Sequence, residues 1–134
     1  MALLMSYLLV LLLLASPQVT TGNLLFTSAL PPKMVPITVK IDFGPAGKSA
    51  IEKEITIREG ATPKEALRQI SPITEGKACC DPAEVKGIDG VLIDPMQNRW
   101  WKLQINGTTK KVSSHKSHLK AGDRIEWIYF EDSQ

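Results

Sequence analysis

The chain has 134 residues, of which 43% are hydrophobic and 22% charged, and its formal net charge is +2. This length allows one domain with a real core, and the mild charge, without a recognisable motif, argues against a nucleic-acid-binding protein. Its two cysteines, Cys79 and Cys80, are too few for a four-ligand zinc site or an iron–sulfur cluster. They leave a strained vicinal disulfide, intermolecular pairing or two packed thiols, and lack the C-x-x-C spacing of a redox pair.

Residues 1–22 are predicted to be a signal peptide. They contain no charged residue, and their apolar run has the length of a signal-peptide core rather than the roughly 20 residues of a spanning helix. Because no Lys or Arg precedes the run, an uncleaved anchor or a misplaced start codon is the alternative. We expect a secreted, periplasmic or cell-surface protein, with no stable membrane span after cleavage. Residues 23–34 are then a linker and residues 35–131 the folded domain.

Alternating apolar and polar residues predict a β-hairpin at the start of the domain. Between Val35 and Phe43 every second residue is apolar, and Ile51, Ile55 and Ile57 share one face of the next segment. A turn sequence with two glycines separates the two runs. We therefore expect two antiparallel strands that bury one face.

A short helix is predicted to begin after Thr62. Thr62 is the expected N-cap, Pro63 occupies the first helical position, and Glu65 completes a capping box. Ser71-Pro72 ends the helix after about two turns, so it needs a sheet to pack on. From Pro72 to Asp81 we expect a loop.

Three more strands are predicted in the second half of the chain. The first is a short strand at Val91 to Ile93, and the second is "WWKLQI", which ends in the Asn106-Gly107 turn. After a polar loop, "RIEWIYF" (residues 124–130) is apolar on both faces and is expected in the interior of the sheet. Together the elements predict an α+β domain of β-grasp-like, two-layer type. Its mixed sheet of four to five strands packs on one short helix.

The same half of the chain resembles a known family. "GIDGVLIDPMQNRWWKLQING" (residues 87–107) and "HLKAGDRIEWIYF" (residues 118–130) are similar to the transcobalamin-like C-terminal domain family. Its pattern is a Trp-led strand ending in Asn-Gly, then Leu-x-x-Gly-Asp-x-Ile-x-Trp-x-Tyr after a loop. The resemblance spans about residues 35–130 and implies a small secreted or surface β-grasp domain.

The resemblance also implies a function. In the animal cobalamin carriers this domain is the second half of a clamp that holds the vitamin against a larger helical domain, for which this chain leaves no room. We expect an exported, non-catalytic binding module, with a corrinoid-like small molecule as its possible ligand. The alternative is an extracellular or envelope protein-interaction or adhesion module. The sequence shows no framed nucleophile with a base, so neither an enzyme nor a cofactor is expected.

The two-residue period of a strand sends neighbouring aromatic side chains to opposite faces of the sheet. Trp101 shares the apolar face of its strand with Leu103 and Ile105, whereas Trp100 points to the polar face, where a large aromatic is costly to leave in water. Trp100 is therefore the preferred ligand contact. The predicted ligand-binding residues are Trp100, Lys102, Gln104, Asn106, Trp127 and Tyr129. The alternative role is core packing for Trp127 and Tyr129, and a structural turn for Asn106-Gly107 and Gly122-Asp123.

Two further patterns carry weaker hypotheses. His115 and His118 are three residues apart in a polar loop, and a metal site there would need a rigid third ligand such as Asp123, so no metal site is predicted. Asn106-Gly107-Thr108 is a glycosylation sequon, which matters only in a eukaryote that secretes the protein.

Overall fold

The structure, a computed structural model, describes residues 29–76, 85–110 and 117–133. The predictions for the signal peptide, most of the linker, the cysteine pair and His115 therefore lie outside the described residues. The chain divides into units of residues 1–30 and 31–134, and every described helix and strand belongs to the second unit. Within the described ranges, no helix is both long and apolar enough to span a bilayer.

The described part of the domain forms two sheets and one α-helix. The strands are β1 (Met34–Asp42), β2 (Ile51–Arg58), β3 (Ile73–Glu75), β4 (Val85–Ile88), β5 (Val91–Leu92), β6 (Arg99–Ile105), β7 (Thr108–Lys110) and β8 (Arg124–Glu131), and the helix is α1 (Pro63–Arg68). The main sheet has the order β2-β1-β8-β6-β7, and the small sheet has the order β3-β4-β5. Because β1 and β8 run parallel while the other neighbours are antiparallel, the main sheet is mixed, as predicted.

The core lies on one face of the main sheet, called here the inner face. Val39, Ile41 and Ile125 on this face are fully buried and cluster with Leu67 of α1 and Ile88 of β4. Full burial of each such side chain stabilises the fold by about 1.5–3 kcal/mol. The predicted two-layer α+β fold is confirmed, and β8 is an interior strand because it pairs with β1 on one side and β6 on the other.

The helix begins as the sequence predicts. The Thr62 hydroxyl accepts a hydrogen bond from the Glu65 backbone N–H (3.2 Å), and the Thr62 N–H donates to the Glu65 carboxylate (2.7 Å). Loss of such a cap costs about 1 kcal/mol. The helix ends at Arg68, and both Lys64 and Arg68 form ion pairs with Glu75 of β3.

Three short strands were not predicted. Ile73–Glu75 lies in the segment expected to be a loop, but it forms β3 and pairs antiparallel with β4. Strand β4 (Val85–Ile88) and strand β7 (Thr108–Lys110) were also missed. Each has only three or four residues, too few for a period of two to show, so each depends on its partner strand rather than on its own sequence.

Two aromatic side chains fix the small sheet to the main sheet. The Trp101 indole N–H donates to the Val91 carbonyl (2.9 Å), and the Tyr129 hydroxyl donates to the Leu92 carbonyl (2.8 Å). Their rings are cross-strand neighbours whose centroids are 5.0 Å apart, and Phe43 packs edge-on against Trp101. Both carbonyls of β5 thereby gain a partner, and Trp101 has the core role predicted for it.

Gly44 is needed where the chain passes the backbone of β8. Its φ is +40°, and a Cβ added there would overlap the Tyr129 carbonyl oxygen. Gly47 in the same turn also has a positive φ, +73°, but no atom lies within 4 Å of its added Cβ. Alanine substitutions at the two positions therefore distinguish the cost of backbone strain, present at both, from the cost of steric overlap, present only at Gly44.

We expect Gly44→Ala to lower the free energy of unfolding by about 3 kcal/mol or more, because strain and overlap act together. Gly47→Ala should cost about 1–2 kcal/mol, from the left-handed conformation alone. Urea unfolding followed by tryptophan fluorescence measures both. Equal losses in the two variants would contradict the close approach at Tyr129.

Candidate functional site

The candidate site is an apolar patch on the outer face of the main sheet, opposite the core. It consists of Trp100 and Lys102 of β6 and Ile128 and Phe130 of β8, called here the outer-face patch. Trp100 lies opposite Phe130 and Lys102 opposite Ile128 in the antiparallel register. All four side chains are half-buried, and none belongs to the core cluster. The patch is therefore an aromatic surface that the core does not require.

The side chains of the patch have defined orientations. The Lys102 ammonium lies 4.9 Å from the centre of the Phe130 ring, in a cation–π contact. The Trp100 indole N–H donates to the Asn98 side-chain oxygen (2.9 Å). Asn98 in turn binds the end of β8, because its backbone carbonyl accepts from the Asp132 N–H (2.9 Å). The polar edge of the indole is satisfied by the protein, while its ring remains part of the surface.

The rest of the outer face consists largely of charged groups that neutralise one another. Lys40 of β1 pairs with Glu126 of β8 (3.0 Å), and Arg124 pairs with Glu52 of β2 (2.8 Å). The hydrogen bond that Lys40 donates to Glu126 raises the pKa of Lys40, and the hydrogen bond that Arg124 donates to Glu52 lowers the pKa of Glu52. Because these charged groups are paired with one another, the patch is the part of this face best suited to an apolar ligand.

A shallow depression lies near the other end of the outer face. Its volume is about 210 Å³, and it is lined by Pro36, Ile37, Thr38, Glu54 and Gly122. Small-molecule sites usually enclose roughly 300–1,000 Å³ and are mainly apolar. The depression is smaller and has no aromatic side chain, so we do not place the site there.

The structure divides the six predicted ligand-binding residues among three places. Trp100, Lys102 and Gln104 share the outer face, where the Gln104 amide donates to the Thr109 hydroxyl (3.3 Å). Trp127 and Tyr129 point to the inner face and are only 4% and 5% exposed. These two residues have the alternative role of core packing, and they do not join Trp100 in one site.

Trp127 and Tyr129 differ in how their polar atoms are satisfied. Among the described residues, the buried Trp127 indole N–H has no hydrogen-bond partner. The Tyr129 hydroxyl is bound to Leu92, and burial raises the pKa of this phenol above its ordinary value of 10.0. Ile128 and Phe130, which complete the outer-face patch, were missed as site residues. Their signal in the sequence is the presence of apolar residues at polar-face positions of "RIEWIYF", which by itself indicates only an interior strand.

Asn106 joins two turns in what we call the turn lock, formed by Asn106 and Asp123. The Asn106 amide nitrogen donates to one Asp123 carboxylate oxygen (2.9 Å), and the Asn106 side-chain oxygen accepts from the Arg124 N–H (2.9 Å). The second Asp123 oxygen accepts from the Lys120 N–H (2.9 Å), and Asp123 is only 5% exposed. These hydrogen bonds give Asn106 and Asp123 a structural role in their turns, as the alternative interpretation of the sequence expected.

The same contacts bear on the metal hypothesis. The Asp123 carboxylate already accepts hydrogen bonds from two donors, the Asn106 amide and the Lys120 N–H. His118 uses Nδ1 in a hydrogen bond with the Gly60 carbonyl (2.9 Å). Within the residues that the structure describes, no three His, Cys, Asp or Glu side chains lie close enough to hold a metal ion.

Comparison with known proteins identifies a family and a fold. The family described as "Domain of unknown function (DUF4430)" has a model that matches residues 63–131, from α1 to the end of β8. The matched segment contains both the outer-face patch and the turn lock. No curated protein matches the chain in sequence.

Two solved structures are similar to this chain. A protein from Ruminococcus gnavus ATCC 29149, described as a candidate metal-binding protein, has a TM-score of 0.59 and 18% identity, over 74% of this chain and 99% of its own. Haptocorrin in complex with Cbi has a TM-score of 0.64 and 11% identity, over 75% of this chain and 26% of its own. At these identities the likeness shows the fold alone. It supports a fold related to the predicted transcobalamin-like domain without identifying a particular member.

The raised pKa of Tyr129 predicts how stability depends on pH. The folded chain holds the phenol proton more tightly than the unfolded chain does. The resulting stability is complete below pH 10.0 and is lost as the pH rises through the higher pKa of the folded state. Tyr129→Phe should therefore cost about 1 kcal/mol at neutral pH, from the lost bond to Leu92. Its deficit relative to the unmodified chain should shrink above pH 10, as measured by urea unfolding at several pH values.

Trp101→Phe is the matched control, because it removes the neighbouring bond to Val91 without removing a group that titrates. Its loss of stability should be the same at both ends of the pH range. A Tyr129→Phe deficit that stays constant above pH 10 would contradict the raised pKa.

Proposed function

The chain belongs to the DUF4430 family, and from this premise we propose that it is an exported, non-catalytic binding module. Its ligand is a flat, corrinoid-like small molecule, held against the outer-face patch. The observation that supports this most directly is the position of Trp100, a large aromatic on the face of the sheet opposite the core. The related fold of haptocorrin, whose structure contains Cbi, supports the class of ligand.

The patch has the chemistry that a flat conjugated ligand requires. Trp100 and Phe130 provide aromatic surface on adjacent strands, and Ile128 extends it toward the centre of the sheet. Ring stacking contributes about 0.5–1.5 kcal/mol beyond the burial of area. The Lys102 ammonium at the edge of the patch is a donor for carbonyl, carboxylate or phosphate oxygens on the periphery of the ligand.

A single sheet face covers only one side of a flat ligand. Typical ligand sites bury most of the surface of the ligand in a concavity, whereas the outer-face patch lies on a sheet surface. We therefore expect weaker binding than a two-sided clamp would give. A second layer from another protein or domain would strengthen binding by covering the other side.

The alternative is a protein-interaction or adhesion module with no small-molecule ligand. It is favoured by the position of β2 at an edge of the main sheet, where among the described strands only β1 pairs with it. However, Glu52, Lys53 and Glu54 follow one another along this strand, and charges of this kind usually block strand addition at an edge. We therefore prefer the outer-face patch as the binding surface.

The test is a titration of the full chain with cobalamin and with its nucleotide-free analogue, followed by the absorbance of the corrin ring. We expect the unmodified chain to shift the spectrum at micromolar concentrations. Trp100→Ala should weaken binding by about tenfold, because it removes the stacking surface. Lys102→Ala should weaken it by a smaller factor, about twofold to fivefold, because a charge that is still partly in contact with solvent contributes less.

Thr56→Ala is the matched control, since Thr56 lies exposed on the outer face of β2, which β1 separates from the patch. Its affinity should equal that of the unmodified chain. No spectral change at high micromolar corrinoid would exclude this class of ligand. A shift that Trp100→Ala leaves intact would place the binding site elsewhere. The protein-interaction alternative would be favoured by two results together. The unmodified chain would bind no corrinoid but would bind an envelope protein, and Trp100→Ala would weaken that protein binding.

A further inference from the structure

The turn lock requires an amide, rather than a carboxylate, at position 106. The nitrogen of the Asn106 side chain donates to the Asp123 carboxylate (2.9 Å), while its oxygen accepts from the Arg124 N–H (2.9 Å). An aspartate at this position keeps the acceptor but loses the donor. Its second oxygen would then face the buried Asp123 carboxylate at hydrogen-bond distance. One of the two carboxylates must take up a proton or move away, because like charges this close do not both ionise without cost.

The residue after Asn106 makes this change chemically accessible. In an Asn-Gly sequence the backbone nitrogen of Gly107 can attack Cγ of Asn106, since glycine has no side chain to hinder the approach. The new N–C bond closes a succinimide ring, and the Cγ–Nδ2 bond breaks with release of ammonia. Water then opens the ring at one carbonyl or the other, which yields aspartate or isoaspartate.

We propose that Asn106 is a deamidation site that folding closes and unfolding opens, and that its product folds with the turn lock broken. In the folded chain, the Asn106 side chain is held by Asp123 and Arg124, and its backbone N–H donates to the Arg124 carbonyl (2.8 Å). Cyclisation requires Cγ to leave these bonds and approach Gly107. The reaction must therefore wait for a local opening of the turn.

The damage spreads beyond the turn because the lock lies at the start of β8. The Asp123 carbonyl accepts from the Thr38 N–H (3.0 Å) at the start of the parallel pairing of β1 and β8. The Gly122 N–H donates to the Pro36 carbonyl (2.9 Å) beside it. An isoaspartate would also lengthen the backbone in a turn whose φ values are +51° at Asn106 and +80° at Gly107. A chain that deamidates while unfolded would thus refold with a permanently lower free energy of unfolding.

The first experiment measures the rate of deamidation. The full chain is aged at mildly alkaline pH with and without urea, and peptide mass spectrometry follows the change of Asn106 to aspartate or isoaspartate. We expect the reaction to be at least about tenfold slower in the folded chain, because it needs local opening. Gly107→Ala in urea is the control for the chemistry and should slow the reaction there. Equal rates in the folded and unfolded chain would overturn the proposal.

The second experiment tests the lock with a charge-pattern swap. Asn106→Asp should lower Tm by about 5–15 °C, because it opposes two carboxylates and removes the bond to Asp123. The double variant Asn106→Asp/Asp123→Asn exchanges amide and carboxylate, so that each hydrogen bond again has a donor and an acceptor, and should recover most of the loss. If Asn106→Asp alone is as stable as the unmodified chain, the turn lock does not stabilise the fold and the proposal is overturned. If Asn106→Asp does not fold, the double variant decides. A double variant that also fails to fold would show that loss of the Asn106–Asp123 hydrogen bond is not the cause, which overturns the proposal.

Discussion

The fold depends on one register, that of β8 between β1 and β6. Strand β8 joins the end of the chain to its first strand through parallel pairing, and the turn lock fixes where this pairing starts. Because side chains in a strand alternate between faces, a slip of one residue would exchange the inward row of Ile125, Trp127 and Tyr129 for the outward row of Glu126, Ile128 and Phe130. The hydrogen bonds of Asn106 and Asp123 therefore help to determine which residues form the core and which form the outer-face patch.

The same alternation explains why neighbouring tryptophans have different roles. Trp101 points inward, where its ring packs on Tyr129 and its N–H holds β5. Trp100 points outward, where its N–H is satisfied by Asn98 and its ring forms the surface of the patch. The core could bury Trp101 without any aromatic at position 100, so stability alone gives no reason for the second indole. This asymmetry is the physical basis for the proposed binding role of Trp100 and for the anchoring role of Trp101.

Local signals predicted the elements that local chemistry determines. The capping box at Thr62, the period of β1 and β2, and the Asn106-Gly107 turn each have their cause within a few residues of sequence. Strands β3, β4 and β7 are too short for a period of two to show, and each is defined by its pairing with a neighbouring strand, so a short segment does not reveal them. The site was predicted only in part for a similar reason. Trp100 is visible from the period of its own strand, whereas its contact with Phe130 depends on a register that spans 30 residues of chain. The inward direction of Trp127 and Tyr129 follows from that same register.

The outer-face patch and the turn lock occupy opposite ends of β6, and this separation lets the domain change one without the other. Asn106 follows Trp100 by six residue positions of extended chain, which corresponds to about 20 Å along the strand. At that distance the energetic effects of substitutions are usually additive. The ion pair of Lys40 with Glu126 lies between the two ends, and that of Arg124 with Glu52 lies at the lock. Both pairs hold the outer face of β1, β2 and β8 together. A change at Trp100 on the outer-face patch therefore leaves intact the interactions that set the register, so the surface of the patch can vary while the fold is kept.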